Sequence, residues 1–277
     1  MRKTCNDKVC SSQFFFVTLQ RKTREKERER KMKIGIIVAM DKEFTQLRTL
    51  LDDSHTERKH GKDFVIGDLD TQRKNDDGQP LTHQLVMQQC GIGKVNAAIG
   101  AVEMINGYQP DLVISTGVAG GADISMNPLD IVVGTRYYYH DVYCGSEVQR
   151  GQFVGMPPFF VAPKQFVEAA LASATLQSAT QTPQSTFHSG PIVSGDWFVD
   201  SVEKMQSILD NFPDAKAVDM ESCAIAQTCH IYKTPFISFR IISDVPLKDE
   251  KAAQYFDFWN RMAEGSFNAT RRFLMNI

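Results

Sequence analysis

The stretch Ala217-Val218-Asp219-Met220-Glu221-Ser222-Cys223-Ala224-Ile225-Ala226 decides the fold. Two carboxylates stand two residues apart, and small apolar residues then follow with helical spacing. Extended backbone from Val218 to Glu221 would turn Asp219 and Glu221 to one side of a sheet. A helix behind them would bury Ile225 and Cys229, which stand one turn apart. A strand that hands over to a helix in this way belongs to an α/β architecture. Its junction lies at the sheet rim, where small-molecule sites form. Glu221 then has two readings, a cap for the helix N–H groups or a carboxylate offered to a ligand.

Working outward, Lys33-Ile34-Gly35-Ile36-Ile37-Val38 is a short apolar β-branched run, the pattern of a strand buried on both faces. Ala39-Met40-Asp41-Lys42-Glu43-Phe44 follows and leads into Leu47, Leu50 and Leu51, which predicts a helix with Asp41 and Glu43 in its first turn. Helix capping explains both acids, and so does a site beyond the first strand. Asp63 to Asp70 and Gln84 to Gln89 read as strands of a hairpin around Asn75-Asp76-Asp77-Gly78. Gly91-Ile92-Gly93-Lys94 opens a helix; it lacks the third glycine of a dinucleotide fingerprint, so a dinucleotide oxidoreductase is set aside, and its glycines are expected to let the helix pack close to the sheet.

Leu112-Val113-Ile114-Ser115 is a further buried strand, and Thr116 to Gly121 is expected to turn off its end. Such a turn either brings backbone N–H groups to a ligand or is a turn and nothing more. Asp130 to Gly134 continues as a strand into Tyr137-Tyr138-Tyr139-His140-Asp141. His140 and Asp141 could be an acid–base pair, but neighbours in a strand face opposite ways. Gly151 to Phe160 is apolar and loop-like, fit for a lid or a partner contact. In Ser194-Gly195-Asp196-Trp197-Phe198-Val199 the two aromatics are core residues or a platform for a flat ring. Pro235 to Ile242 is a strand whose Arg240 needs an anionic partner if buried, and Ser243-Asp244 ends it with another carboxylate. A final helix from about Ala252 to Leu274 carries Tyr255, Phe256, Phe258 and Trp259.

Composition narrows the classes of function. The chain has 277 residues, 42% hydrophobic and 23% charged, enough for a sizeable core. A net charge of −2 argues against a broad nucleic-acid or membrane footprint, and no apolar run reaches the length of a membrane span. The six cysteines lie scattered with no C-x-x-C pair, as in a reducing compartment. Residues 1–31 are polar and then charged, and are expected to be an extension outside a single domain at 32–277.

Taken in order, Ile36 to Glu43, Thr116 to Gly121, Ser194-Gly195-Asp196, Val218 to Glu221 and Arg240 to Val245 resemble the 5′-methylthioadenosine/S-adenosylhomocysteine nucleosidases of the purine nucleoside phosphorylase superfamily. The resemblance implies a three-layer α/β/α sandwich with a central mixed β-sheet, and hydrolysis of the bond between adenine N9 and ribose C1′. It implies Asp244 as general acid at adenine N7, Glu43 as the base for water, and Glu221 as holder of the ribose hydroxyls. Arg240 would fix Glu43 and the water. Phe198 would stack on adenine, the Val199 backbone would read its edge, Met220 would pack on ribose and Phe256 would cover the base or the 5′-thio group. Met40, Val118, Ala119 and Gly120 complete the implied substrate contacts.

No metal or organic cofactor is implied; the partners are an adenine nucleoside and a second copy in a cytoplasmic homodimer. The chemistry agrees, since breaking the bond leaves an electron-poor sugar and an anionic purine, which call for an acid on one side and carboxylates on the other. An Asp244 that carries a proton near neutral pH needs a low-dielectric pocket. Val118 stands where a serine is common in the family, and Asp219 where a glutamate is. Both departures bear on substrate preference among methylthioadenosine, adenosylhomocysteine and 5′-deoxyadenosine. The rivals are a phosphorylase, which would need a cationic phosphate cradle, hydrolysis of futalosine or AMP, and a non-catalytic nucleoside-binding protein of the same fold.

Overall fold

The computed structural model describes residues 30–75, 77–175, 185–248, 258 and 268–277. In chain order the elements are β1 (Lys33–Val38), α1 (Asp41–Arg48), β2 (His55–Lys59), β3 (Lys62–Lys74), β4 (Pro80–Gln89), α2 (Lys94–Tyr108), β5 (Leu112–Gly121), β6 (Ile131–Tyr139), β7 (Phe160–Val161), α3 (Lys164–Thr175), β8 (Phe187–Ser194), α4 (Val202–Leu209), β9 (Ala217–Asp219), α5 (Ser222–Tyr232), β10 (Phe236–Asp244) and α6 (Asn268–Asn276).

The β-branched runs become the centre of a ten-stranded mixed sheet in the order β10-β6-β8-β9-β5-β1-β4-β3-β2. β1 lies parallel between β4 and β5. β5 also pairs in parallel with β10, so β5, β10, β6, β8 and β9 close into a ring while β4, β3 and β2 extend as an open wing. The predicted hairpin is the antiparallel pair β3–β4, with Gly78 N–H bonded to the Asn75 carbonyl in its turn.

Side-chain alternation puts the two faces of β10 under different helices. Phe239 packs on Phe273 of α6, with ring centroids 4.9 Å apart. Ser238 turns the other way and meets Ser222 of α5, with the two hydroxyl oxygens 2.7 Å apart. Helices on both faces of a mixed sheet make this an α/β sandwich. α2 lies close to the sheet because of Gly35, whose added Cβ would meet Met104, and Gly100, whose Cβ would stand 2.6 Å from Cβ of Cys90. Gly91 and Gly93 have another part: both adopt left-handed φ, at 97° and 94°, and turn the chain into α2.

Two expectations are corrected. Thr116 to Gly121 is no turn off a strand end, because β5 runs on to Gly121 and pairs Gly120 with Val218 of β9. Extension from Val218 does not reach Glu221: β9 stops at Asp219, and Glu221 is the N-cap of α5 with φ −132° and ψ −38°. Phe256, Tyr255, Trp259 and most of residues 1–31 lie outside the described residues. The described part of the last helix runs past Leu274 to Asn276. No helix among the described residues is long and apolar enough to cross a membrane.

Candidate active site

The carboxyl ends of β1, β5, β8, β9 and β10 meet on one side of the ring, the place where open α/β sheets bind ligands. A cavity there is lined by Met40, Glu43, Val118, Ala119, Gly120, Phe198, Val199, Met220, Glu221 and Asp244. Val218 and Asp219 of the central stretch line it too, as does Trp197, the other aromatic of the pair read as core or ring platform; Ala39, Ile92 and Ser243 join them without a role expected from the sequence. Of the expected site residues, Arg240 lies beneath the cavity rather than on its wall, and Phe256 is outside the described residues.

Glu43 is the third residue of α1, buried at 2% exposure. Its Oε2 accepts the backbone N–H groups of Ala39 at 3.1 Å and Met40 at 2.9 Å, and Oε1 accepts that of Val118 at 3.0 Å. Capping and site readings of this acid therefore hold together, since bonds to its own helix start aim the carboxyl at β5. Burial raises its pKa and the three N–H donors work against that rise. The Val118 backbone supplies the contact, so a side chain other than serine at that position leaves it in place.

Asp219, one residue before Met220, is the hub at the floor of the cavity. Its Oδ2 lies 2.5 Å from Nε of Arg240 and also accepts the Ser222 hydroxyl. Oδ1 accepts the Ser194 hydroxyl at 2.5 Å, with the N–H groups of Glu221 and Ser222 at 3.3 and 3.2 Å. It is therefore Asp219, not Glu221, that satisfies the first donors of α5. Burial opposes its ionisation most strongly, but the Arg240 guanidinium and the Ser194 and Ser222 hydroxyls together hold the carboxyl below its ordinary value. Arg240, buried at 3% exposure, thus has the anionic partner it needs, and its Nη2 donates to the Ser115 hydroxyl at 2.9 Å. Glu43 stands across Gly117: an added Cβ there would come within 2.6 Å of Glu43 Oε1 and 2.9 Å of Arg240 Nη1.

Released from capping, Glu221 takes a single backbone donor, the Gly93 N–H, at 2.9 Å on Oε1. Burial first, and then the negative charge of Asp219, push its pKa up to about 7. Asp244 ends β10, 8% exposed, with Ser243 donating to its Oδ1 at 2.6 Å. On the far wall Trp197 and Phe198 are 43% and 57% exposed, which places both on a surface rather than in the core. His140 and Asp141 do not pair. His140 packs edge-on against Trp197 at 5.2 Å, while Asp141 turns to Lys94 and the Asp196 backbone. Among the described residues no group of three or more His, Cys, Asp or Glu is placed to hold a metal ion.

The arrangement gathers three carboxyl groups and two aromatic rings around one cavity, with the buried Arg240 cation close to Glu43. Such a cleft can protonate a flat leaving group and stabilise positive charge on a sugar. The sequence model of the phosphorylase superfamily matches residues 33–274. A 5′-methylthioadenosine/S-adenosylhomocysteine nucleosidase of Desulfotalea psychrophila is 36% identical over 237 residues, 85% of this chain and 94% of that protein. The nucleosidase of the same name from S. pneumoniae, solved with a transition-state inhibitor, superposes with a TM-score of 0.76 at 30% identity, covering 88% of this chain and 99% of that one. The enzyme from Colwellia psychrerythraea, solved with adenine, gives a TM-score of 0.76 at 33% identity over 88% and 95%.

Proposed function

We infer the reaction from one premise: the chain belongs to the phosphorylase superfamily and, within it, to the 5′-methylthioadenosine/S-adenosylhomocysteine nucleosidases. It hydrolyses the N-glycosidic bond of methylthioadenosine and adenosylhomocysteine, releasing adenine and the 5-thioribose product. The observation that carries this reading is that Glu43, Glu221 and Asp244, distant in sequence, line one cavity with Phe198 and Val199.

In the proposed mechanism adenine lies against Phe198, with its edge at the Val199 backbone and N7 toward Asp244. As the C1′–N9 bond breaks, its electron pair passes to the purine and Asp244 gives a proton to N7. Water beside Glu43 attacks C1′ and yields its proton to that carboxylate. Three backbone donors fix Glu43, and Glu221 accepts the ribose hydroxyls with Met220 packed below the sugar. Arg240 acts through Asp219 and by its positive charge beneath the sugar side.

Hydrolysis is favoured over phosphorolysis because none of the described residues lining the cavity is a lysine or arginine, and Arg240 is engaged by Asp219 and Ser115. A phosphate dianion would lack its cradle. We place the activity in one domain, residues 32–277, acting in the cytoplasm as a homodimer, with 5′-deoxyadenosine as a further substrate. The test is to incubate purified protein with methylthioadenosine in phosphate-free buffer and assay adenine. Release without phosphate is expected; release only on adding phosphate, or none, overturns the reading.

A further inference from the structure

On the ribose side, just outside the cavity, charged groups from three separate segments form a clasp. Nζ of Lys94, the first residue of α2, lies 2.6 Å from Oδ2 of Asp141 beyond β6 and 3.7 Å from Oδ2 of Asp196 beyond β8. The same Asp141 oxygen accepts the Asp196 N–H at 2.9 Å, and Oδ1 of Asp196 accepts the Lys94 N–H at 2.9 Å. These contacts close a ring. The Lys94 and Asp141 side chains are 24% and 10% exposed, so solvent screens this pair less than an ordinary surface pair.

One residue back, Gly93 makes the bond that holds Glu221. Its backbone is left-handed, and Oδ1 of Asp196 stands 3.1 Å from where a Cβ would be. The direction of the Gly93 amide is thus set from both sides: by the turn before it, and by the Lys94 ring after it. Loss of the Lys94 cation would leave the Asp141 and Asp196 carboxylates facing each other with like charge, and the start of α2 would be free to shift.

We propose that Lys94 is a positioning residue for ribose recognition. Its clasp with Asp141 and Asp196 keeps the Gly93 N–H on Glu221, so that the other Glu221 oxygen meets the sugar hydroxyls. The proposal rests on the nucleosidase reading above. It does not follow from the reaction chemistry, since Lys94 touches neither the purine side nor the water side of the cavity.

The test is Lys94→Met, which keeps the stem and backbone N–H and removes the cation, with Lys94→Arg as the conservative control. The kcat/KM for methylthioadenosine is expected to fall about tenfold, the scale of one charge-assisted hydrogen bond. For the 3′-deoxy analogue, which lacks a hydroxyl that Glu221 would accept, it should fall much less, so preference for the hydroxyl shrinks. The arginine variant should retain that preference. Equal loss on both substrates would mean a merely structural lysine and overturns the proposal. Hydrogen exchange gives an independent reading: the Gly93 amide should exchange faster by about tenfold in Lys94→Met and not in Lys94→Arg. Unchanged exchange overturns the clasp. If the wild type releases no adenine from either nucleoside, the reaction assignment fails, and exchange alone still decides the role of Lys94.

Discussion

Asp219 and Glu221 stand two residues apart and titrate in opposite directions. The cause is their partners: Asp219 faces a guanidinium, whereas Glu221 faces one amide and the charge of Asp219. Glu221 binds its proton more tightly folded, at about 7, than at its ordinary 4.5. Its ionisation therefore removes stability progressively as pH rises from about 4.5 to about 7, and no further above. Burial lowers the pKa of His83 and His140, which pull the other way in part of that window, so the informative quantity is a difference. Melting temperature of Glu221→Gln minus that of wild type should grow from pH 5 to pH 8; a flat difference would refute the shift. Asp244→Asn tests the acid: adenine release should drop about 10²–10⁴-fold while a nucleoside analogue still binds by calorimetry. Undiminished release would remove Asp244 from the mechanism. The sequence pointed to these carboxylates, and to Arg240 needing an anion, but could not say that Asp219 was that anion. That contact joins β9 and β10, which both pair with β5 and not with each other, and it is invisible in a linear pattern.

Elements were legible where burial leaves a compositional mark. β1, the start of β5 and β10 are β-branched or aromatic runs because both of their faces are covered. β2, with the exposed run His55–Lys59, carries no such mark and went unread. The glycines of β5 misled in the opposite sense. A Gly-rich segment predicts a turn, yet here glycine leaves room in the strand where side chains from two neighbours converge. Gly117 is the sharpest instance, because Glu43 and Arg240 occupy the space of its missing Cβ. Gly117→Ala must move the Glu43 carboxyl, and a shift near 1 Å costs about 10²-fold in rate. Activity should fall by that much with only a modest loss in melting temperature. Near wild-type turnover in this variant would show that Glu43 is not the base. In the same way Gly93 read as a packing glycine, although its backbone N–H is a site donor; nothing in residue identity announces a backbone hydrogen bond.

At the scale of the whole molecule, α2 is turned outward as much as inward. Val95 and Ile99, one turn apart, are 70% and 46% exposed, and Ile92 before them lines the cavity while half in solvent. Val154 and Phe153, from the apolar loop expected to meet a partner, are also exposed. Tyr139 links the loop to the start of α2: its ring lies 5.5 Å from that of Phe153 and 5.5 Å from Nζ of Lys94, the residue before Val95. An apolar surface of this kind beside an open site favours burial against a second copy, which would also cover the ribose end of the cavity. Sedimentation velocity at micromolar concentration should therefore report a dimer. Val95→Asp would place a charge in that apolar contact and should shift the protein toward monomer, with KM for methylthioadenosine rising more than kcat falls, since the reacting carboxylates belong to one chain. A monomeric wild type would overturn the dimer, and a Val95→Asp dimer of undiminished affinity would put its contact elsewhere on the surface; either result leaves the Ile92 side of the cavity open to solvent.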